Sequence, residues 1–345
     1  MFRQDRTNPS SAVSNWRGRH ESSKGWPSTA VSSWLNGGLF GGGAAGAMYW
    51  TMLGDGAGAI NKWSFADDSR TTLVATLDYG TWGGGGCSNS GVAGYMIGGA
   101  NGPQNTYVQK LTYATEAAST LGSPTAYFAA TYDTRAMSNS GVAGYSGGGC
   151  CHTDLYHKVN FSTDAVSTLT ATMSSARDAG SCMTDSGTAG YAAGGPSSPV
   201  SAVVDKLTFA SETSAALGTG LSEVRSYAMS MSNSGVFGYV VAGKISNVET
   251  PYPGGWRSDC NKFAFPSDTR TVVGSGFLSL PLAGGGGASN SGVAGYIAGG
   301  GTTTGVDQTF IDKFEFPSDT RSALSEGLAQ TTWRPATMSN ELSLA

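Results

Sequence analysis

Side chains that commonly do chemistry are sparse in this chain. Its three histidines, His20, His152 and His157, lie outside any nucleophile or zinc-protease motif. Cys150, Cys151, His152 and His157 form the one metal-like cluster. Adjacent cysteines rarely bind one ion with good geometry, and a distant second pair of ligands is missing. We therefore predict a polar loop at this cluster and no metal site.

Paired carboxylates from distant loops are the remaining route to catalysis, because glycoside cleavage needs only two of them. Candidates such as Asp78, Asp154 and Glu249 share no motif. The chain also has no phosphate-binding loop of the Gly-x-x-x-x-Gly-Lys-Ser/Thr type. The sequence therefore predicts a non-enzymatic protein without a cofactor, with glycan cleavage left as an alternative.

Binding chemistry is better represented, by aromatic side chains in Gly-rich segments. The segment from Gly243 to Lys262 is longer than its sister segments and contains Tyr252, Trp256 and Arg257. Neighbouring loops add Tyr79, Trp82, Tyr107 and Trp333. Loops rich in Tyr, Trp and Arg on a rigid scaffold are favoured contact sites, so we predict that these residues bind a partner. The alternative is that some of them only cap the elements beneath.

Six copies of one short motif must position these loops. Each copy places a lysine three residues before an aromatic, at Lys62, Lys110, Lys158, Lys206, Lys262 and Lys313. Apolar residues around each lysine alternate as a half-buried strand requires, and Cys260 takes one of the apolar positions. We expect the lysines to cover apolar surface with their stems and to keep their charge in water.

A second motif precedes the lysine motif. The segment from Ser88 to Tyr95 has close copies that end at Tyr145, Tyr191, Tyr239 and Tyr296, and a degenerate copy that ends at Tyr49. Its Asn-Ser-Gly or Asp-Ser-Gly core tolerates positive φ, as a short hairpin connection needs. Just before the turn lies a column that we expect to point inward, formed by Cys87, Met137, Met183, Met231, Ala288 and Met338. Cys87 is therefore interpreted as core filling and not as a reactive thiol.

A third motif follows the lysine strand, most clearly in 266–270 and 317–321, both Pro-Ser-Asp-Thr-Arg. It predicts a turn that opens a fourth strand, and we expect its Asp and Arg to pair within the turn. Four antiparallel strands repeated about every 40–50 residues indicate the blades of a β-propeller. The C-terminal segment Ala336–Asn340 repeats the strand that precedes each turn, so we predict that it completes the first sheet and closes a ring.

This strand order assigns the connections to two faces. The Asn-Ser-Gly and Ser-Asp-Thr-Arg turns fall on one face, here called the turn face. The connections after the double glycines, and those before each inner strand, fall on the opposite face, here called the loop face. Sequence variation is concentrated on the loop face, so we predict binding there.

The double glycines at 98–99, 148–149, 194–195 and 299–300 follow apolar-tyrosine strands, and with them the units resemble kelch repeats. The fourth-strand tryptophan typical of kelch is replaced by leucines. The amino-acid sequence of the repeat also resembles repeats in structural proteins of tailed phages, especially phages that infect cyanobacteria. The resemblance implies an all-β, six-bladed kelch-like β-propeller over residues 41–345, in a virion protein assembled in the host cytoplasm and extracellular in the mature particle.

Residues 1–40 differ from the repeats. They are polar and carry a sparse set of arginines and tryptophans: Arg3, Arg6, Trp16, Arg17, Arg19, Trp26 and Trp34. Such a segment cannot build its own core, so we predict an extended docking arm that binds other virion proteins with anionic surfaces. A flexible leader is the alternative.

Composition limits the remaining classes of function. Glycine is abundant, at 52 residues, and only 13% of residues are charged, with a net charge of −4. This balance predicts no nucleic-acid partner, and the absence of a long apolar stretch predicts no membrane insertion and no signal peptide. We therefore expect a virion component whose propeller displays a face to a protein, a host glycan or a receptor. A carbohydrate-binding or glycan-cleaving propeller and a purely architectural spacer are the alternatives.

Overall fold

A computed structural model describes residues 48–52, 58–78, 80, 82–100, 107–121, 132–150, 152–178, 180–196, 200–245 and 255–340, with the side chains of residues 48–52 excepted. These residues form 24 β-strands and no α-helix. The prediction of an all-β fold is therefore confirmed for this part of the chain. No helix there is long and apolar enough to span a membrane.

The strands form six separate antiparallel sheets of four strands each. In chain order they begin with β1 (Met48–Met52), β2 (Ala59–Ser64) and β3 (Arg70–Thr76). Then come β4 (Gly85–Asn89), β5 (Ala93–Ile97), β6 (Val108–Thr112), β7 (Ala117–Leu121), β8 (Arg135–Asn139), β9 (Ala143–Gly147), β10 (Leu155–Asn160) and β11 (Val166–Thr172). These are followed by β12 (Ser181–Asp185), β13 (Ala189–Ala193), β14 (Val204–Thr208) and β15 (Thr213–Ala216). The last strands are β16 (Met229–Asn233), β17 (Phe237–Lys244), β18 (Trp256–Ala264), β19 (Thr269–Val273), β20 (Gly286–Asn290), β21 (Ala294–Ala298), β22 (Ile311–Glu315), β23 (Thr320–Ala323) and β24 (Ala336–Asn340).

Five sheets each take four consecutive strands, from β4 to β23, and are the five blades of a β-propeller. The remaining sheet has the order β24-β1-β2-β3, so it combines both ends of the described chain. In it Met338 lies opposite Trp50 and Ala336 lies opposite Met52. The prediction that the C-terminal strand completes the first sheet is confirmed.

The first strand of each unit lies innermost. Strands β4, β8, β12, β16, β20 and β24 contact one another in that order, and β24 also contacts β4. The predicted inward column is confirmed, since Cys87, Met137 and Met183 are all buried. A Cβ built on Gly190 would lie 2.0 Å from the Met137 sulfur, so the neighbouring sheet must present a glycine there. Cys260 is also buried, as its place in the apolar column predicts.

The inner strands leave one edge of backbone groups facing the axis, and hydroxyl side chains cover part of it. The backbone N–H of Ser88 donates to the hydroxyl oxygen of Ser138 at 2.9 Å. The same bond links Ser138 to Thr184, Thr184 to Ser232, Ser232 to Ser289, Ser289 to Ser339 and Ser339 back to Ser88, at 2.8–3.1 Å. This hydroxyl ring (Ser88, Ser138, Thr184, Ser232, Ser289 and Ser339) links every inner strand to the next and satisfies edge donors that would otherwise be exposed.

Candidate functional site

The row of lysines joins neighbouring sheets. Lys262 Nζ lies 2.6 Å from one carboxylate oxygen of Asp319, and the Tyr239 hydroxyl donates to the other at 2.8 Å. Five further lysines make the same contact with an acid of the next sheet: Lys62 with Glu116, Lys110 with Asp164, Lys158 with Glu212, Lys206 with Asp268 and Lys313 with Asp68. We call the six contacts the lysine clamps. The expectation that these charges stay in water is wrong, because each ammonium is paired.

The clamp acids occupy the turn that opens the fourth strand. Asp319 has φ 58° and Asp268 has φ 53°, a left-handed conformation that Asp tolerates better than most residues. The expected pairing within the turn is therefore wrong. Arg270 instead donates to the backbone oxygen of Gly220, and Arg321 lies 3.7 Å from Asp312. The acid at positive φ extends to the preceding sheet and contacts a lysine and a tyrosine there.

Aromatic side chains form the centre of the loop face. Five aromatic side chains, here the aromatic cluster, come together there: Trp82, Tyr132, Tyr227, Trp256 and Trp333. Ring centroids are 4.9 Å apart between Trp82 and Tyr132, 5.9 Å between Tyr227 and Trp333, and 6.5 Å between Trp256 and Trp333. The three tryptophans are half-buried, so each keeps part of its ring surface open to solvent.

Two cations join these rings into one unit. Lys244 Nζ lies 4.6 Å from the Trp256 ring centroid and 5.3 Å from those of Tyr227 and Trp333. The Arg334 guanidinium lies 4.3 Å from the Tyr227 ring, 5.3 Å from Trp333 and 5.5 Å from Trp82. Lys244 is only 3% exposed. Cation–π contacts of this kind are stronger away from water, so they hold the rings in fixed positions.

Arg334 also forms an ion pair with a residue of another sheet. Its Nη1 donates to both carboxylate oxygens of Asp133, at 2.9 and 2.7 Å, and both side chains are buried. Arg334 and Asp133 precede β24 and β8, which are not adjacent inner strands. The ion pair therefore links two inner strands that have β4 between them.

Trp256 and Arg257 do not lie in a loop. They begin the long strand β18, in which Trp256 pairs with Lys244 and Arg257 pairs with Gly243. The insertion thus lengthens a hairpin, and a register shift between Val241 and Gly243 turns Trp256 toward the centre of the face. This strand geometry is what brings Trp256 to Trp333.

Three of the predicted binding residues meet in the aromatic cluster: Trp82, Trp256 and Trp333. Arg257 instead donates to both oxygens of Glu223, at 2.6 and 2.8 Å, and these bonds lower the pKa of the Glu223 carboxyl. Tyr107 stands half-buried just before β6, and among the described contacts it does not join the cluster. Tyr79, Tyr252 and the whole predicted arm, residues 1–40, lie outside the described residues.

Sequence reasoning missed Tyr132, Tyr227, Lys244, Arg334 and Asp133. A signal for three of them was present. Tyr227, Arg334 and Asp133 all lie four residues before the inward column, at the place where each inner strand starts. All three have positive φ, as do the glycines at the equivalent positions 83 and 284. A large side chain where sister units have glycine marks the positions that fill the centre of the face.

Asp307 adds a polar group beside Trp333. A Cβ built on Gly301 would lie 2.9 Å from the Trp333 ring and 3.2 Å from an Asp307 oxygen, so glycine lets both side chains approach. Burial raises the pKa of Asp307. The exposed ring surface of Trp333 thus has a carboxylate next to it, an arrangement suited to stacking plus hydrogen bonding.

The metal-like cluster is divided. The His157 ring is buried and its Nδ1 lies 3.1 Å from the Thr168 hydroxyl, whereas His152 lies 3.3 Å from Asp178. Burial lowers the pKa of His157 to about 4. Cys151 lies outside the description, and no group of three or more His, Cys, Asp or Glu among the described residues is placed to hold a metal. Burial also raises the pKa of Cys87 to about 12, as expected for a core thiol.

The fold and the site define a β-propeller with an aromatic, cation-supported face. No protein-family model matches the chain, and no similar protein is found among curated proteins.

Proposed function

We propose that this chain is a non-enzymatic binding component of a tailed-phage virion, and that the loop face contacts a partner protein or the host surface. The aromatic cluster carries the proposal. Half-buried tryptophans fixed by Lys244 and Arg334 offer apolar area at low entropic cost, as binding hot spots do. The virion setting is supported by the resemblance of the repeat to phage structural proteins.

The proposed scaffold is a six-bladed, kelch-like ring over residues 41–345. Support comes from the antiparallel sheet of β24, β1, β2 and β3, which joins the two ends of the described chain and has the same four-strand arrangement as the five continuous blades. The hydroxyl ring and the lysine clamps both run through this sheet, since Ser339 bonds Ser88 and Lys313 pairs with Asp68. Closure of this kind leaves no long sheet edge and gives a rigid base for the loop face.

Residues 1–40 are proposed as the arm that attaches the protein to other virion proteins. In this setting the protein is assembled in the host cytoplasm and is extracellular in the mature particle. Deleting residues 1–35 tests the arm. The propeller is expected to fold but to be absent from purified particles, and normal incorporation of the truncated protein contradicts this part of the proposal.

Adsorption tests the loop face. Particles carrying Trp256→Ala together with Trp333→Ala are expected to lose adsorption to host cells, with Val306→Ala as a matched control, because Val306 is an exposed apolar residue outside the aromatic cluster. Unchanged adsorption of the double variant favours an architectural spacer.

A carbohydrate is a second candidate ligand, favoured by Asp307 beside the exposed surface of Trp333. Sugars bind through stacking of their C–H faces on aromatic rings and through bidentate bonds to carboxylates. Binding of the purified protein to host polysaccharide, lost in Trp333→Ala, supports this ligand over a protein receptor. New reducing ends after incubation indicate cleavage, and their absence agrees with a binding role.

A further inference from the structure

The inner strands enclose a channel that the proposed function does not use. Its cavity has a volume of about 140 Å³ and is lined by residues of β4, β8, β12, β16, β20 and β24. One water molecule needs only about 10–15 Å³ of such space, so the channel can hold a small polyatomic ion together with water. Its wall includes the whole hydroxyl ring.

The hydroxyl ring leaves protons to donate. Each of its hydroxyl oxygens accepts a backbone N–H from the neighbouring inner strand. A hydroxyl has one proton besides its acceptor lone pairs, so that proton remains for a carbonyl, a water or a ligand in the channel. A second set of hydroxyls from Ser90, Ser140, Ser186 and Ser234 lines the channel nearer the turn face. These serines are half-buried, which leaves an approach from solvent at that end.

Arg135 lines the opposite end. Its Nη1 donates to the backbone oxygen of Thr134 at 3.0 Å. Its Nη2 is buried and has no hydrogen-bond partner among the described residues. A buried charged donor without a partner is costly, so the position of Nη2 calls for an acceptor that the described chain does not supply.

No carboxylate in the channel neutralises Arg135. Outside the channel, Asp133 acts on Arg135 through its charge, but both of its oxygens accept hydrogen bonds from Arg334. Among the described residues that line the cavity, Arg135 is the one charged side chain. Burial lowers the pKa of Arg135, the charge of the neighbouring Asp133 raises it, and the positive charge of Arg334 lowers it. The channel is thus a polar cavity whose described lining carries one positive charge and no carboxylate.

We propose that the channel binds a small inorganic oxyanion, phosphate or sulfate, held by the Arg135 guanidinium and by hydroxyls of the ring. A guanidinium matches the geometry of an oxyanion better than that of a spherical halide. The bound ion would bridge inner strands of several sheets. It is a different site from the aromatic cluster, which lies beyond the Arg334–Asp133 pair.

Calorimetric titration of the full-length protein with sodium phosphate tests the proposal. One saturable site is expected for the wild type, and Arg135→Gln is expected to weaken it about tenfold or more, the effect of losing one charge-assisted hydrogen bond. Arg321→Gln is the matched control, because that arginine lies outside the channel and pairs only loosely with Asp312. Absent binding in the wild type, or equal affinity in Arg135→Gln, overturns the proposal.

Two further measurements cover the remaining outcomes. Crystals soaked in sodium selenate are expected to show an anomalous peak next to Arg135, and a channel that holds water alone overturns the proposal. Sodium chloride titrated in place of phosphate distinguishes the ions, and tighter chloride binding contradicts an oxyanion site.

If Arg135→Gln does not fold, Ser138→Ala is used instead, and it is expected to weaken phosphate binding severalfold. Unchanged phosphate affinity in Trp333→Ala separates this site from the loop face.

Discussion

The turn face and the loop face contain the same kinds of side chain, but these side chains have different roles on the two faces. On the turn face, each lysine and tyrosine meets an acid of the next sheet, and the contact recurs in the same form, as between Lys262 and Asp319. On the loop face, Lys244 and Arg334 contact aromatic rings in an arrangement that occurs once among the described residues. The comparison indicates that repeated contacts hold the sheets together, whereas the unrepeated ones form a surface for binding.

Removing a clamp acid is expected to have the largest effect on stability. Asp319→Ala leaves Lys262 and Tyr239 without their acceptor in a contact whose side chains are only 12% and 19% exposed. We expect a loss of about 2–4 kcal/mol in the free energy of unfolding, measured by urea denaturation. Asp67→Ala is the control, because Asp67 is an exposed acid of an equivalent turn that accepts its hydrogen bonds from the nearby Ser69, and the unfolding midpoint of this variant is expected to change far less. Equal unfolding midpoints for the two variants would show that the lysine clamps do not stabilise the fold.

Removing a ring from the aromatic cluster is expected to act on binding more than on folding. Trp333→Ala removes the ring that contacts both Lys244 and Arg334. We expect a loss of about 2 kcal/mol in binding free energy, which is roughly a thirtyfold weaker dissociation constant, measured on whichever partner adsorption identifies. If Asp319→Ala, compared under conditions where it stays folded, weakens binding as much, the proposed division between the two faces is wrong.

A buried histidine of the repeated framework is expected to make stability depend on pH. His157 has a pKa of about 4 in the folded chain, below the ordinary value of about 6.5. Between these values the unfolded chain binds the extra proton, so stability falls as the pH falls from about 6.5 to 4, by roughly 1–3 kcal/mol.

The variant His157→Gln introduces glutamine, which the neighbouring unit has at the equivalent strand position, Gln109. Urea unfolding at pH 7 and pH 4.5 is expected to show a smaller difference for this variant than for the wild type. A difference of the same size would assign the pH dependence to other groups.

The smallest effect is expected on the exposed valines of the turn face. Val92, Val142, Val236 and Val293 occupy one position of the repeated turn and are 42–54% exposed. Val92→Ser is expected to change the free energy of unfolding by no more than about 0.5 kcal/mol and to leave adsorption unchanged. Lost adsorption in this variant would move the binding surface from the loop face to the turn face.

Much of the fold could be predicted from the sequence because its signals are local. Alternation around Lys206 predicted β14, and the Asn-Ser-Gly turn predicted the hairpin of β4 and β5. The return of the C-terminal segment to the first sheet was also predictable, since Met338 repeats the inward column. The turn pairs were predicted wrongly because sequence proximity favoured Arg270 as the partner of Asp268, whereas the left-handed turn directs that acid to Lys206.

The candidate site was only partly predictable. Aromatic content identified Trp82, Trp256 and Trp333, but nothing local joined them to Lys244, which the longer hairpin of β17 and β18 brings beneath the rings. Arg257 is an opposite case. Its residue type and its aromatic neighbours suggested binding, yet its Nε and Nη2 both donate to Glu223.

The amino-acid sequence by itself determined the repeated strands, their turns and the inward column, because alternation and turn chemistry act over a few residues. Only the tertiary structure decided which charges meet. Lys262 and Asp319 are 57 positions apart, and Arg334 and Asp133 are 201 apart. Such pairs form where the ring brings separate sheets within hydrogen-bond distance, and a local pattern carries no information about that distance.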